Sequence, residues 1–328
     1  MNTVQDFKNR VNVLRNEEFH GLAMELFRFQ AVNNPVYSAY LSNLEVDITT
    51  INQFDDIPCL PIQFFKYHEI KTGSWSTKEL FMSSGTTGMK RSVHHMDELD
   101  FYRNHSWRVF GQFFPHFSRF DVVLALLPSY QSQGNSSLIC MVDHIMSKVS
   151  ESQYCLEDMT ELTAKIHRLL KKGLNVYLFG VGYALLDLAE YSTHRLDGLK
   201  IIETGGMKGR RAELTKTEYY DLLKKGLGDV QIYSEYGMTE LLSQAYAFGE
   251  DDYRCPVNMK VIVKDHTDPF ASSSYNKTGV INVIDLANVH SCAFIETQDL
   301  GKVKENGHFQ VLGRLDNSDV RGCNLLVQ

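Results

Sequence analysis

The stretch LNVYLFGVGY, residues 174–183, decides the fold class, because a continuous apolar run ends there in a glycine-rich turn. Runs that are apolar at almost every position are typical of strands that a parallel sheet buries on both faces. The same pattern occurs four more times, in ELFM (79–82), DVVLALL (121–127), LKIIE (199–203) and DVQIY (229–233). Helical patterns fill several gaps, such as 97–114 and 213–227. The sequence therefore predicts an α/β fold with a mostly parallel sheet covered by helices.

The two ends of the chain differ from this central pattern. Residues 1–45 are predicted to be helical, and DIPCLPIQFFK (56–66) is predicted to be an extended crossing segment. From residue 257 onward, close-spaced strands follow one another with little helix between them. We therefore predict an α/β core with a helical N-terminus over 1–256 and a smaller β-rich subdomain of the same unit over 257–328.

Composition excludes several classes of protein. The net charge of −7 argues against a general nucleic-acid or anionic-membrane surface. The six cysteines are scattered without a C-x-x-C pair, which predicts reduced thiols rather than a disulfide framework or a zinc site. The N-terminus lacks the apolar region of a signal peptide, and no apolar stretch is long enough to cross a membrane. A cytoplasmic location is expected.

In an open parallel sheet, ligands bind beyond the carboxyl ends of the strands, where the loops after all five predicted strands would meet. The first of these loops, in FMSSGTTGMK (81–90), combines glycines, hydroxyls and Lys90. Backbone N–H groups, hydroxyls and a lysine suit a phosphate, although the spacing is not that of a Walker A loop. A flexible surface turn is the alternative interpretation.

Two later motifs could complete a nucleotide site. In YSEYGMTE (233–240), Tyr236 could stack on a base, Thr239 could contact a phosphate and Glu240 could hold Mg²⁺. A polar helix start is the alternative for this motif. Asp299 in ETQDLG is suited to ribose hydroxyls and Arg314 in GRLD to a phosphate or ribose, although each is alternatively a turn or surface charge.

Taken together, SSGTTGMK, YGMTE and QDLG…GRLDNSDVRG resemble, in this order, the signature motifs of the adenylate-forming (ANL) superfamily, over about residues 56–328. This superfamily includes acyl-CoA synthetases, peptide-synthetase adenylation domains and firefly luciferase. Within it, IPCLPIQFFK, ETGGMKG and SDVRGC make the chain most similar to the acyl-protein synthetases of the LuxE type. The phenylacetate-CoA ligase branch is the alternative relative.

The resemblance implies a role for each matching position. The residues implied for the β- and γ-phosphates of ATP are Ser83, Ser84, Gly85, Thr86, Thr87, Gly88 and Lys90. Those implied for the adenine and the acyl pocket are Gly205, Gly206 and Met207, with Tyr236 and Gly237 in the stacking segment. It further implies Thr239 for the α-phosphate, Glu240 for Mg²⁺, Asp299 for the ribose and Arg314 for the ribose or phosphate. Gly182 and Tyr183 are predicted to line the acyl pocket. One departure is Thr297-Gln298-Asp299, where the family has Thr-Gly-Asp.

The resemblance also implies how the acyl group leaves the site. Most of the superfamily continues beyond the GR-D…RG hinge into a mobile domain with a catalytic lysine, whereas only six residues follow Gly322. The expectation is that the mobile domain is absent and that Cys323, beside Arg321, accepts the acyl group and passes it to a partner such as an acyl reductase. A small semi-buried residue is the alternative for Cys323, and core packing is expected for the other cysteines.

The sequence thus predicts an acid–thiol ligase that uses ATP and Mg²⁺ to convert a carboxylic acid, by resemblance a fatty acid, to an acyl-adenylate. Three alternatives stay open: an acyl- or aryl-CoA ligase that uses coenzyme A directly, a non-catalytic subunit of an acyl reductase complex, and a phosphoryl-transfer kinase. The absence of a Walker A or kinase signature weakens the kinase.

Overall fold

The computed structural model describes residues 1, 3–84, 90–127, 135–155, 158–205, 214–249, 251–265 and 275–315. Within these ranges the α-helices are α1 (Val4–Asn12), α2 (Phe19–Asn33), α3 (Pro35–Asn43), α4 (Phe64–Tyr67), α5 (Leu99–Phe113), α6 (Ser137–Met146), α7 (Met159–Lys171), α8 (Gly182–Tyr191) and α9 (Lys216–Leu227). The strands are β1 (Leu60–Pro61), β2 (Glu79–Met82), β3 (Val93–Met96), β4 (Val122–Leu126), β5 (Glu151–Tyr154), β6 (Val176–Val181), β7 (Lys200–Thr204), β8 (Gln231–Tyr236), β9 (Ala245–Phe248), β10 (Met259–Lys264), β11 (Gly279–Asp285), β12 (Phe294–Val303) and β13 (Phe309–Arg314).

Contacts between residues divide the chain into two compact units. Unit 1 contains residues 1–78, 92–97 and 255–328, and unit 2 contains residues 79–91 and 98–254. The division that we predict at residues 256 and 257 stays a prediction. The contact-based grouping differs from it, because it places the N-terminal helices with the C-terminal strands.

Unit 2 contains a six-stranded sheet in the order β5-β4-β6-β7-β8-β9. Neighbouring strands from β5 to β8 are parallel, and β9 pairs with β8 in the antiparallel direction. Strands β4 and β6 are buried at every position, as their continuous apolar runs predict. The predicted α/β fold class with a mostly parallel sheet is confirmed.

The two faces of this sheet are covered by different helices. On one face, Phe113 at the end of α5 and Phe114 directly after it pack on the sheet; the Phe113 ring lies 5.0 Å from Tyr246, and the Phe114 ring lies 5.1 Å from Tyr233. On the other, α8 and α9 pack so closely that a Cβ atom at Gly226 would overlap the backbone carbonyl of Ala189. Successive side chains of a strand point to opposite faces of the sheet. The last two residues of each strand therefore face different sets of helices.

Helix α9 begins where its capping residues predict. The Thr215 side chain accepts from the Glu218 N–H, and the Glu218 carboxylate accepts from the Thr215 N–H, which is a capping box. The helix ends before Gly228, whose φ of 97° lies in the left-handed region that favours glycine. Local sequence therefore fixes the start of α9 at Lys216, directly after the segment that contains ETGGMKG.

Unit 1 contains a five-stranded sheet in which β1, β12, β11 and β10 are neighbours and β13 also pairs with β12. All pairs are antiparallel except the short β1–β12 pair. Helix α2 is tied to this sheet by Gln30, whose amide donates to the carbonyls of Asn288 (2.9 Å) and Ser291 (3.2 Å) and accepts from the Ala293 N–H (2.9 Å). These buried bonds are the physical reason that the N-terminal helices group with the C-terminal strands.

Two expectations about the strands are corrected. ELFM forms β2, but it is not one of the six strands of the parallel sheet, so only four of the five predicted loops follow strands of that sheet. The backbone N–H of Met82 instead donates to Asn135 O at 2.8 Å, beside the end of the segment that follows β4. Residues 56–66 are extended only in part, because Phe64–Tyr67 forms a short helix. Among the described helices, none combines the length and the apolar character that crossing a membrane requires.

Candidate active site

Three predicted segments follow the carboxyl ends of three adjacent strands in unit 2. Val181 of β6 is in register with Thr204 of β7, and Thr204 is in register with Glu235 of β8. Gly182 and Tyr183, Gly205, and the segment 236–240 therefore leave the sheet at the same edge. The structure brings these predicted residues together, and their roles stay predictions.

The beginning of the predicted phosphate loop also belongs to unit 2. Ser84 and Lys90 are exposed and Ser83 is partly exposed, so the hydroxyls and the ammonium are accessible to a ligand. Gly85, Thr86, Thr87 and Gly88 lie outside the described residues, as do Gly206, Met207 and Cys323.

The YGMTE segment presents both buried and accessible groups. Tyr236 is 8% exposed and makes an edge contact with the Tyr253 ring at 5.9 Å. Glu240 is buried, whereas Thr239 is partly exposed. At Gly237, a Cβ atom would overlap a carboxylate oxygen of Glu235, so a larger residue there would require the Glu235 side chain to shift. The segment therefore places an aromatic ring, a hydroxyl and a carboxylate within five residues after β8.

Gly182 begins α8, and Tyr183 lies in its first turn. Tyr183 is only 3% exposed. Its ring can line an acyl pocket only from the interior side of the helix.

Glu235 is a site residue that the sequence analysis did not identify. Its Oε2 accepts from the Thr204 hydroxyl at 2.5 Å. Burial raises the pKa of Glu235 to about 7; the Thr204 bond opposes the shift, and the charge of Glu203 adds to it. A carboxyl group that titrates near neutral pH thus lies one residue before Tyr236. The sequence signal that could have identified Glu235 is its position within SEYGMTE.

A second group that the sequence analysis missed surrounds Glu203. The Lys216 ammonium lies 2.7 Å from Glu203 Oε2 and 3.2 Å from Ser234 Oγ, and Ser234 Oγ donates to Glu203 Oε2 at 2.6 Å. The Tyr220 hydroxyl lies 2.7 Å from Ser234 Oγ. Register explains part of this contact, because Glu203 and Ser234 are directly opposite on β7 and β8.

A buried histidine connects α5 to the chain just after Glu240. His105 Nε2 lies 2.8 Å from Ser243 Oγ, and Arg108 Nη2 lies 2.8 Å from His105 Nδ1. Because Arg108 donates to Nδ1, His105 Nε2 carries the proton and donates to Ser243. Burial lowers the pKa of His105 to about 3, with the Arg108 charge adding to the shift. This arrangement holds a neutral histidine and is unlike a hydrolase triad, where a carboxylate contacts Nδ1.

Asp299 and Arg314 lie in unit 1, directly opposite each other on β12 and β13. Arg314 Nε is 3.6 Å from Asp299 Oδ1, and its side chain is 75% exposed. Thr297 Oγ1 accepts from the Asp299 N–H at 3.0 Å and donates to Ile281 O at 2.8 Å. The Thr-Gln-Asp variant therefore still orients Asp299 through the threonine.

Four of the five described cysteines are poor nucleophiles. Burial raises the pKa of Cys59 and of Cys255 to about 12, and it also raises the pKa of Cys140 and Cys292. A thiol needs its thiolate form to attack an acyl group, so these four cysteines fit core packing better than acyl transfer.

A surface pocket of about 280 Å³ lies at the opposite end of β8. Its walls include Lys224, Tyr233 and Phe248. None of the predicted site residues lines it, and the strand ends are the better candidate for the active site.

The sequence matches a family model and a curated relative. A family model described as acyl-protein synthetase, LuxE, matches residues 15–328. A long-chain-fatty-acid–luciferin-component ligase of Aliivibrio fischeri is 23% identical over 337 residues, which cover 93% of this chain and 86% of that protein.

Two solved structures have a similar fold. ATP-bound MatB from Rhodopseudomonas palustris has a TM-score of 0.54 at 19% identity over 72% of this chain and 47% of its own, so the chain spans about half of MatB. An open conformation of 2-hydroxyisobutyryl-CoA ligase, in complex with 2-HIB-AMP and CoA, has a TM-score of 0.67 at 12% identity over 92% of this chain and 70% of its own. These likenesses show the fold of adenylate-forming enzymes. With the family match over nearly the whole sequence, the chain belongs to the acyl-protein synthetase (LuxE) family.

Proposed function

We propose that this protein activates a carboxylic acid with ATP, releases pyrophosphate, and transfers the acyl group from the acyl-adenylate to a thiol. The observation that carries the proposal is the edge of the parallel sheet in unit 2. There, the segments after β6, β7 and β8 present the residues that match the nucleotide motifs of adenylate-forming enzymes. The family match and the MatB-like fold support the same reaction class.

In the first step, a substrate carboxylate oxygen attacks the α-phosphorus of ATP, and the bond from that phosphorus to the β-phosphate oxygen breaks. The carboxylate is a weak nucleophile, so the protein must hold it in line and neutralise charge on the departing pyrophosphate. The exposed Lys90 ammonium and the Ser83 and Ser84 hydroxyls are the donors that we assign to the pyrophosphate.

We assign the α-phosphate to Thr239, the adenine to Tyr236 with Gly205, and the ribose to Asp299, with Arg314 as its partner. Mg²⁺ fits the donor set in unit 2, because the buried Glu240 carboxylate and the Thr239 hydroxyl offer the hard oxygen ligands that Mg²⁺ takes. When bound, the metal would supply positive charge beside the phosphate oxygens.

In the second step, a thiolate attacks the acyl carbonyl carbon, the bond to the AMP phosphate oxygen breaks, and the thiol proton goes to solvent. We assign this thiol to Cys323, as the family resemblance implies, and burial raises the pKa of four of the other cysteines. The Aliivibrio fischeri relative is named for a long-chain fatty acid, so we propose a fatty acid as substrate, with Gly182 and Tyr183 beside its chain. We further propose a partner acyl reductase as the final acceptor, and the cytoplasm, where ATP and reduced thiols coexist, as the location.

Exchange of radiolabelled pyrophosphate into ATP, measured with a panel of fatty and aryl acids, tests the first step. We expect exchange that depends on one class of acid and that falls at least about 100-fold in Glu240→Gln. Cys323→Ser should leave the exchange intact and abolish acyl label on the protein. Exchange without acyl label, together with acyl-CoA formation when coenzyme A is added, would instead support the CoA-ligase alternative. If no acid supports exchange in a protein that binds ATP, the non-catalytic subunit becomes the better explanation.

A further inference from the structure

The cluster around Glu203 has no role in the reaction proposed above. We call Glu203, Lys216, Ser234 and Tyr220 the Glu203 cluster. The Ser234 hydroxyl has one proton, which it donates to Glu203, so Tyr220 must donate its own proton to Ser234. Every donor in the cluster therefore leads to one carboxylate oxygen, which receives bonds from both Lys216 and Ser234.

The cluster holds its charges away from bulk water. Glu203 is 7% exposed, and Ser234 is fully buried. Burial by itself would lower the pKa of Lys216, but the charge of Glu203, the nearby Tyr253 and Tyr220 and the hydrogen bond to Glu203 together more than offset it, and the pKa lies above its usual value. Lys216 and Glu203 therefore form an ion pair, with 2.7 Å between the ammonium and the carboxylate oxygen. Removing one partner leaves a buried charge without compensation.

The position of the pair in the chain suggests what it does. Glu203 is followed by Thr204 and Gly205, where the chain leaves β7, and Lys216 is the first residue of α9, where regular structure resumes. The ion pair thus joins the end of β7 to the start of α9. Ser234 extends the same cluster to β8, two residues before Tyr236. One set of bonds therefore joins the ends of the two strands that lead into Gly205 and Tyr236, the residues to which we assign the adenine.

We propose that the Glu203 cluster positions the adenine-binding segments, and that it sets the affinity for ATP without touching the nucleotide. The inference depends on the proposed function, because it takes the adenine to lie at this edge of the sheet. Residues that are already held in position have less freedom to lose when a ligand binds, so fixing the chain before Gly205 and Tyr236 should strengthen binding. We expect no equivalent increase in the affinity for the acid substrate.

Lys216→Met is the decisive variant, because it keeps the aliphatic stem and removes the ammonium. Lys216→Arg restores the charge. Lys200→Met is the matched control: Lys200 begins β7 at the opposite end of the strand, where its ammonium lies 3.3 Å from Asn175 Oδ1. Calorimetric titration with ATP gives the dissociation constant, and the pyrophosphate exchange assay gives kcat and separate KM values for ATP and the acid.

We expect Lys216→Met to raise the dissociation constant and the KM for ATP about 10-fold or more, with kcat and the KM for the acid within about 2-fold of wild type. Lys216→Arg should recover most of the ATP affinity, and Lys200→Met should keep it. Unchanged ATP affinity in Lys216→Met would overturn the inference. So would a parallel rise of both KM values with a fall in kcat, since that is the result of general loss of structure.

Two further outcomes separate this inference from the proposed function. If Lys216→Met does not fold, Tyr220→Phe removes one hydroxyl of the cluster and should still weaken ATP binding about 3-fold. Unchanged ATP affinity in folded Tyr220→Phe would then overturn the inference. If wild-type protein binds ATP but supports no exchange, the proposed reaction is wrong, and calorimetry alone still tests the cluster. If wild-type protein does not bind ATP, both proposals are overturned.

Discussion

Glu235 should make the stability of unit 2 depend on pH in the direction opposite to most carboxylates. Its pKa is raised from 4.5 in a solvated side chain to about 7 in the folded protein, mainly by burial. Between these two values the folded chain keeps a proton that the unfolded chain has lost. The free energy of unfolding contributed by this group is therefore fully present below pH 4.5 and is lost as pH rises through 7.

The magnitude follows from the shift. One pKa unit corresponds to about 1.4 kcal/mol, so the full loss above about pH 8 is roughly 3 kcal/mol. Glu235→Gln has no charge to bury and keeps an acceptor for the Thr204 hydroxyl. We expect this variant to gain stability relative to wild type by about 2 kcal/mol between about pH 5 and about pH 8.

Urea unfolding followed by tryptophan fluorescence measures this difference. The chain has two tryptophans, and Trp107 packs in α5 on Phe110 with ring centroids 6.0 Å apart. In a Trp75→Phe background, Trp107 reports on unit 2 alone. Glu151→Gln removes an exposed carboxylate of the same sheet and is the control. A stability difference that does not change with pH, or that the control reproduces, would refute the assignment of this titration to Glu235.

Two other predictions concern stability. Gln30→Ala should lower the free energy of unfolding of unit 1 by about 3–5 kcal/mol, because it removes a buried amide and leaves its partners in residues 288–293 unsatisfied. The control Gln5→Ala, which removes one partner of an exposed hydrogen bond, should cost less than about 0.5 kcal/mol. Equal losses for the two variants in urea titrations would contradict this prediction. His105 has a pKa of about 3 in the folded protein and 6.5 in the unfolded chain, so the free energy of unfolding should fall as pH drops below 6.5, by up to about 1.4 kcal/mol per pH unit. His105→Gln should lack this dependence in the same assay. An unchanged slope of the free energy of unfolding against pH in this variant would contradict the prediction.

The sequence predicted those parts of the structure that depend on local pattern. Apolar runs identified β4, β6, β7 and β8, because a strand buried on both faces needs apolar side chains at nearly every position. Loop placement then followed from the direction of parallel strands, which brings the segments after β6, β7 and β8 to one edge. The same reasoning failed for ELFM, because an apolar run of four residues does not indicate which sheet a strand joins.

Contacts between distant residues could not be predicted in the same way. Glu203 and Lys216 are 13 positions apart and belong to no motif, so only the pairing of β7 with β8 and the packing of α9 bring them together. Glu235 was visible within SEYGMTE, but its raised pKa depends on burial, which a sequence does not report. The Gln30 contacts join residues more than 250 positions apart, which is why the sequence analysis did not place the N-terminal helices with the C-terminal strands.

The edge of the sheet carries two carboxyl groups in different surroundings, and the alternation of side chains along a strand explains the difference. Glu203 and Ser234 face α9, where the Lys216 ammonium lies 2.7 Å from a carboxylate oxygen of Glu203. Thr204 and Glu235 are each one residue further along, so they face the opposite side, where Glu235 accepts a hydroxyl bond and burial opposes its ionisation. The fixed charge of Glu203 also raises the pKa of Glu235, so the two groups act on each other through the sheet. Any variant that neutralises Glu203 should therefore change both the positioning of the ATP segments and the titration of Glu235, whereas a change at Glu235 alone should affect only the second.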